Sequence, residues 1–178
     1  MQDSIETTAM RLARERAEPI DEATISFSIN GKPYFSAENL DMPLLWFLRD
    51  ELRLTGTKAG CGDEEDCGGI CSVLLEGKPV RACRTPLHSI ARKRVLTVEG
   101  LADDNLHPLQ QAFIEQDVPQ CGYCTPAWLI HGAALLARNP QPSVVDLSKI
   151  NVICRCGSQV AAQRAILRAA ERMREKTR

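Results

Sequence analysis

The sequence has few aromatic residues and almost no excess of one charge. It contains four Phe, two Trp and two Tyr among 178 residues, and 22 Lys and Arg against 23 Asp and Glu give a formal net charge of −1. Such a balanced chain has no field to attract nucleic acid and no basic patch for an anionic membrane surface. Domains of under 100 residues bury only ~60–65% of their unfolded-chain surface. With so few large aromatic side chains as well, we expect small hydrophobic cores.

Long apolar runs are also absent. The longest ones are far shorter than the ~20 residues of a membrane-spanning helix. The charged N-terminal stretch, residues 1–19, has no apolar segment behind it, so it matches neither a Sec nor a Tat signal. We therefore expect a cytoplasmic protein, in a reducing compartment where disulfides are rare. Association with a membrane through a partner stays open.

Cysteine, in contrast, is abundant. Eight cysteines form two groups of four, which are Cys61, Cys67, Cys71 and Cys83, and then Cys121, Cys124, Cys154 and Cys156. Four plus four predicts two thiolate sites for a soft metal, either zinc, copper(I) or iron in an iron–sulfur cluster. Zinc sites usually pair two C-x-x-C or C-x-x-H hooks, which neither group does. Iron–sulfur clusters are therefore favoured, and a zinc-stabilised interaction module is the alternative.

The two groups lie in different local contexts. Two cysteines of the first group, Cys61 and Cys67, lie on a Gly-rich loop, residues 55–69, and Cys71 follows shortly after it. The backbone N–H groups of this loop can turn toward a cluster. Each pair of the second group comes just before a predicted helix, where free N–H groups and positive partial charge favour an anionic cluster.

Hydrophobic periodicity predicts an α+β chain with two domains. Apolar alternation and turn residues predict strands over 24–29, 33–36, 72–76, 80–83 and 94–98, with one helix from Pro43 to Leu52 and a short helix after Thr85-Pro86. Helical patterns follow at 109–117, 127–138, 143–149 and 159–173. The predicted organisation is a polar arm (1–22), a first domain (23–100), a linker (101–106) and a helical domain (107–174).

The cysteine motifs resemble those of one known family. They are G-T-K-A-G-C-G at 56–62, Cys67-Gly68, Cys71, Cys83, P-Q-C-G-Y-C-T-P at 119–126 and C-R-C-G at 154–157. In this order they resemble the iron–sulfur subunit of molybdenum hydroxylases, the xanthine dehydrogenase and aldehyde oxidoreductase family. The likeness runs from about Thr24 to Ala170.

The resemblance implies a fold, cofactors and partners. The first domain would be a β-grasp fold like a plant-type ferredoxin, the second a four-helix bundle, and each would hold one [2Fe–2S] cluster on its four cysteines. The helical-domain cluster would lie nearest the molybdopterin of a large partner subunit, with Gln120 and Cys156 close to the pterin. Electrons would leave through the other cluster toward FAD, haem in a cytochrome, or another acceptor. The chain itself would contain no catalytic residue.

Some details depart from the family pattern. Five residues separate Cys61 from Cys67 and three separate Cys67 from Cys71, one more in each case than in the plant-type spacing C-x4-C-x2-C. The longer loop would bulge at residues 63–66, whose four acids would form a solvated tip or a docking surface for a basic electron acceptor. The ending C-R-C-G-S at 154–158 is more similar to bacterial aldehyde, nicotinate and isoquinoline dehydrogenase subunits, which allows a relay without flavin.

The predicted function is therefore single-electron relay within an oxidoreductase complex. A free-standing [2Fe–2S] electron carrier is the second hypothesis. The three histidines, His88, His107 and His131, are scattered along the chain and are expected to be surface or packing residues.

Overall fold

The computed structural model describes residues 24–60, 68–102 and 104–175. The predicted polar arm lies outside these residues. So do two of the predicted ligands, Cys61 and Cys67, and the acidic stretch 63–66.

A five-stranded sheet forms the N-terminal half of the described chain. Its strands are β1 (Ile25–Ile29), β2 (Lys32–Ser36), β3 (Ser72–Leu75), β4 (Lys78–Arg81) and β5 (Arg94–Leu96), in the order β2-β1-β5-β3-β4. Neighbours are antiparallel except β1 and β5, which run parallel with Ile29 opposite Val95. The first hairpin turns at Asn30 and Gly31, whose φ angles of 51° and 77° are those that Asn-Gly adopts readily, as the sequence predicts.

One helix covers the sheet. α1 (Leu44–Trp46) continues into a π-helical turn, Phe47–Glu51, where Leu52 N–H donates to the Phe47 carbonyl at 3.1 Å. The predicted helix is present, but its second half is wound more widely than an α-helix. Its apolar side chains pack on the sheet in a core that includes Phe27, Ile29, Leu44, Leu45, Leu48, Leu87, Ile90 and Val95.

Two strands end two residues earlier than the sequence predicts. The predicted strand over 80–83 ends at Arg81, and Cys83 lies in a 3-10 turn, Ala82–Arg84. The chain turns there because the Arg81 carbonyl accepts from the Thr85 hydroxyl at 2.9 Å. The predicted strand over 94–98 ends at Leu96, because the Thr97 N–H donates to Asn30 Oδ1 at 2.9 Å and not to a neighbouring strand.

Four helices form the C-terminal half: α2 (Pro108–Glu115), α3 (Thr125–Arg138), α4 (Val144–Ser148) and α5 (Gln159–Glu175). They confirm the four predicted helices. α3 is apolar nearly all round because it has neighbours on two sides. One side packs with α2 and α5, and the other places Ile130 and Ala134 against Leu74 of β3. Within the described ranges, no helix has the length and apolar character that crossing a membrane requires.

Candidate metal centre

The second group of cysteines lies where two packed helices begin. Cys124 is the N-cap residue of α3, with Cys121 three residues before it in an irregular segment. Cys154 and Cys156 lie in the irregular segment that leads into α5. α3 and α5 pack against each other in the helical core, and Cys124 Sγ lies 3.9 Å from Ser158 Oγ at the start of α5. The fold therefore brings together four thiols from two separate segments.

These four thiols form two pairs. Cys121 and Cys156 contact each other and are both exposed; we call them the outer pair. Cys124 and Cys154 contact each other further inside, with Cys124 only 6% exposed; we call them the inner pair. The site thus has one end in solvent and one end in the core.

Ser158 makes the two thiols of the inner pair unequal. Burial opposes ionisation of Cys154, but hydrogen bonds from the Ser158 hydroxyl at 3.1 Å and backbone N–H at 3.2 Å outweigh it and lower its pKa to about 7. Burial, with the contact to Cys154, raises the pKa of Cys124 to about 11. Cys154 is therefore the thiol of this pair that ionises first, and the thiolate is the form that binds metal.

The outer pair has the same kind of asymmetry. The Tyr123 backbone N–H, followed by the contact with Cys156, lowers the pKa of the Cys121 thiol. The contact with Cys121 raises the pKa of the Cys156 thiol. Each pair therefore contains one thiol that ionises readily and one that follows when a metal displaces its proton.

The first group is described only in part. Cys71 Sγ and Cys83 Sγ lie 3.3 Å apart, with Cys71 fully buried and Cys83 half-buried. The β3–β4 hairpin brings them together, because Ala82 N–H donates to the Cys71 carbonyl at 3.1 Å. Among the six cysteines that the structure describes, no two are joined by a disulfide.

Three hydrogen bonds join the surroundings of the two groups; we call them the seam. Ile153 N–H, next to Cys154, donates to the Gly68 carbonyl at 2.9 Å. Tyr123 Oη, between Cys121 and Cys124, donates to the Ala59 carbonyl. His131 Nε2 lies 2.9 Å from Ser72 Oγ, and Ser72 follows Cys71. The seam holds the cysteine-bearing segments of the sheet and of the helices against each other.

The protonation state of His131 follows from its surroundings. Ser72 Oγ donates to the Gly69 carbonyl at 2.6 Å, so the hydroxyl must accept its second bond from His131 Nε2–H. Burial lowers the pKa of His131 to about 4, which keeps the imidazole neutral at physiological pH. The expectation that His131 is a packing residue missed this bond between the two halves of the chain.

The donor set fits a two-iron cluster better than a single ion. The four sulfurs of the helical site lie as two contact pairs, one exposed and one further inside. Structural zinc needs four ligands around one ion, whereas a [2Fe–2S] cluster takes two thiolates on each of two irons. An outer pair and an inner pair match the second arrangement.

Other predicted or overlooked residues can now be placed. Gln120 is exposed beside the outer pair. His107 caps α2, with Nδ1 accepting from Leu109 N–H at 3.1 Å, and His88 lies 3.2 Å from Asp41 at the surface. Sequence reasoning missed Ser158, although its position directly after C-R-C-G at a helix start was a usable signal.

Comparisons with known proteins match the part of the chain that contains this site. A family described as a "[2Fe-2S] binding domain" matches residues 97–167, which include all four cysteines of the helical site. The chain is similar to the alpha subunit of isoquinoline 1-oxidoreductase from Brevundimonas diminuta, with 44% identity over 151 residues, 83% of this chain and 97% of that protein.

Two further similarities extend over comparable lengths. The small FeS subunit of nicotinate dehydrogenase from Eubacterium barkeri is 33% identical over 156 residues, 86% of this chain and 98% of that protein. Among solved structures, a chain of quinoline 2-oxidoreductase from Pseudomonas putida 86 superposes with a TM-score of 0.76 and 35% identity, covering 85% of this chain and 96% of that chain.

Proposed function

Because this chain belongs to the molybdenum hydroxylase family, whose small iron–sulfur subunits it matches over most of its length, we propose that it relays single electrons within an oxidoreductase complex. The electrons come from a molybdopterin centre on a large partner subunit. The observation that carries the proposal is the outer and inner pair of thiols that two helix starts bring together.

All eight cysteines act as ligands of two [2Fe–2S] clusters. The outer pair and the inner pair would together hold the helical cluster, since the fold brings these four thiols into contact. Cys71 and Cys83 supply half of the other cluster, and Cys61 and Cys67 supply the rest. A bound [2Fe–2S] cluster accepts and releases one electron at a time.

The chain is organised as two units around these clusters. Residues 23–100 form a ferredoxin-like β-grasp domain, and residues 107–174 form a four-helix bundle, joined by the linker 101–106. The mixed parallel and antiparallel sheet covered by α1 supports the first assignment. The separate helical core around α2, α3 and α5 supports the second.

The exposure of the two pairs supports a direction for the relay. The outer pair is open to solvent, so it is the end that a partner's redox centre can approach, with Gln120 beside it. The inner pair lies on the side of the seam, where Ile153 N–H bonds the Gly68 carbonyl next to Cys67. Electrons therefore enter at the outer pair and leave through the seam toward the ferredoxin-like cluster.

Partner and location complete the proposal. The chain works in a heteromeric complex in a reducing compartment, the cytoplasm, because its function requires eight reduced thiols. The final acceptor is FAD, the haem of a cytochrome, or another centre outside this chain. The substrate is oxidised on the partner and is not chosen by this chain.

The test is to isolate the native complex and identify its polypeptides. We expect a reddish-brown complex that contains a large molybdenum protein and roughly four irons per copy of this chain, two for each cluster. Two EPR signals should appear when the enzyme's substrate is added, and neither should appear with this chain alone plus substrate. A zinc-containing, colourless chain, or an iron-loaded chain that never co-purifies with a molybdenum protein, would contradict the proposal.

A further inference from the structure

Ser158 occupies the N-cap position of α5, but its hydroxyl does not cap the helix. Its carbonyl accepts the first helical hydrogen bond, from Ala162 N–H at 2.9 Å. A serine in this position ordinarily accepts a bond from the N–H two or three residues later. In the described chain, however, Ser158 Oγ has hydrogen-bond contacts only with two sulfurs, Cys154 Sγ at 3.1 Å and Cys124 Sγ at 3.9 Å.

The same chain shows the ordinary arrangement at Ser143. There the hydroxyl accepts from Asp146 N–H at 3.2 Å, and the Asp146 carboxylate accepts from Ser143 N–H at 2.9 Å. The Ser158 hydroxyl at the start of α5 therefore contacts sulfur and does not cap the helix. Departures from local preference of this kind concentrate at functional sites.

The chemistry of the site fixes which atom donates. As cluster ligands the sulfurs are thiolates, which can only accept, so the Ser158 O–H must donate to the nearer one, Cys154 Sγ. The Ser158 backbone N–H donates to the same sulfur at 3.2 Å. Ser158 is 5% exposed and Cys154 is half-buried, so the donor side of these bonds is shielded from water.

We propose that the Ser158 hydroxyl raises the reduction potential of the helical-domain cluster by donating to the Cys154 sulfur. This inference rests on the proposed function. An electron added to the cluster increases the negative charge on its sulfurs, so a hydrogen bond to sulfur stabilises the reduced state more than the oxidised state. Ser158 is thus a positioning and tuning residue beside the seam.

The experiment uses the purified complex and the variants Ser158→Ala and Ser158→Thr. Potentials of both clusters are measured by redox titration followed by EPR. At a fixed potential, Ser158→Ala should lower the reduced-to-oxidised ratio of the helical-domain cluster about tenfold. This equals a decrease of about 59 mV in its reduction potential, for a one-electron couple. The ferredoxin-like cluster serves as the internal reference and should not move. Ser158→Thr keeps the hydroxyl and should restore most of the ratio.

Two controls separate tuning from folding. Ser143→Ala removes a true helix cap, so it should lower thermal stability without changing either potential. Ser158→Gly also removes the hydroxyl but suits an N-cap, so it remains informative if Ser158→Ala fails to fold. The inference is overturned if either hydroxyl-free variant keeps its clusters and the reduced-to-oxidised ratio of the helical-domain cluster changes less than twofold, or if both clusters shift equally. An absence of iron in the unmodified complex would overturn the proposed function instead.

Discussion

The two cysteine sites are supported in different ways. Cys71 and Cys83 lie at the end of a β-hairpin, whose ladder pairs Ser72 with Arg81 and holds the two sulfurs together. The four cysteines of the helical site lie in segments outside helices and strands, except that Cys124 caps α3. The described half of the sheet site is thus preformed by secondary structure, whereas the helical site depends on side-chain contacts and on its metal.

Ligand substitutions should produce the largest difference between the sites. Cys83→Ser and Cys124→Ser should each reduce iron from roughly four to roughly two per chain, since each removes one cluster. Loss of the helical cluster should also destabilise the fold, because the cluster would link two segments that no β-ladder joins and so contribute to the folding free energy. We expect the unfolding temperature to fall by about 10 °C or more in Cys124→Ser, a change of several kcal/mol, and by less than half as much in Cys83→Ser.

Iron analysis and thermal unfolding followed by circular dichroism check this prediction. Cys156→Ser is the matched control within the helical site. It removes the same cluster through an exposed sulfur, so it separates loss of metal from loss of a buried side chain. Equal destabilisation by Cys83→Ser and Cys156→Ser would mean that the β-hairpin holds its site no more firmly than side-chain contacts hold the helical site.

Local patterns predicted most of the fold and the ligand-bearing segments. Asn30-Gly31 encodes its own turn, Thr125-Pro126 marks the start of α3, and the apolar face of each helix is visible in the sequence. The seam could not be predicted, because its bonds join residues such as Ile153 and Gly68 that are far apart in the chain and show no pattern. The 3-10 turn at Cys83 was missed for a similar reason, since a side-chain bond from Thr85 ends the strand there.

A smaller effect is expected where the two sites meet at Gly69. This residue has a φ of +69°, and a Cβ added there would overlap the carbonyl oxygen of Asn151, in the segment that leads to Cys154. Gly69→Ala must therefore strain the backbone and push the two segments apart. We expect a loss of about 3 kcal/mol in the free energy of unfolding, since a non-glycine residue at positive φ alone costs ~1–3 kcal/mol.

Gly77→Ala is the control for Gly69→Ala. Gly77 has a similar φ of +76°, but an added Cβ would have nothing within 4 Å, so only the backbone cost applies, about 1 kcal/mol. Denaturant unfolding measures both free energies. EPR of the fully reduced complex should also show a weaker magnetic interaction between the clusters in Gly69→Ala alone. Equal losses in the two variants would show that the contact with Asn151 contributes nothing.

The smallest predicted effect concerns His131, which joins the two halves through Ser72. Its pKa of about 4 in the folded state lies below the usual ~6.5 of an unfolded chain. As pH falls below about 6.5, the unfolded state takes up the proton first. This contribution to stability is therefore fully present above pH 6.5 and is lost progressively between pH 6.5 and 4. At pH 5 the loss should be about 2 kcal/mol relative to pH 7.

His131→Gln tests the origin of this pH dependence. Glutamine does not titrate, and its amide nitrogen can take the place of His131 Nε2 and donate to Ser72 Oγ, so the variant should lack this component while keeping the bond. The measurement is the free energy of unfolding at pH 7 and pH 5 for both proteins. Subtracting one pH dependence from the other removes the contribution of carboxylates and thiolates common to both. Parallel pH dependences would mean that His131 is solvated, and that the helices and the sheet are held together without a buried imidazole.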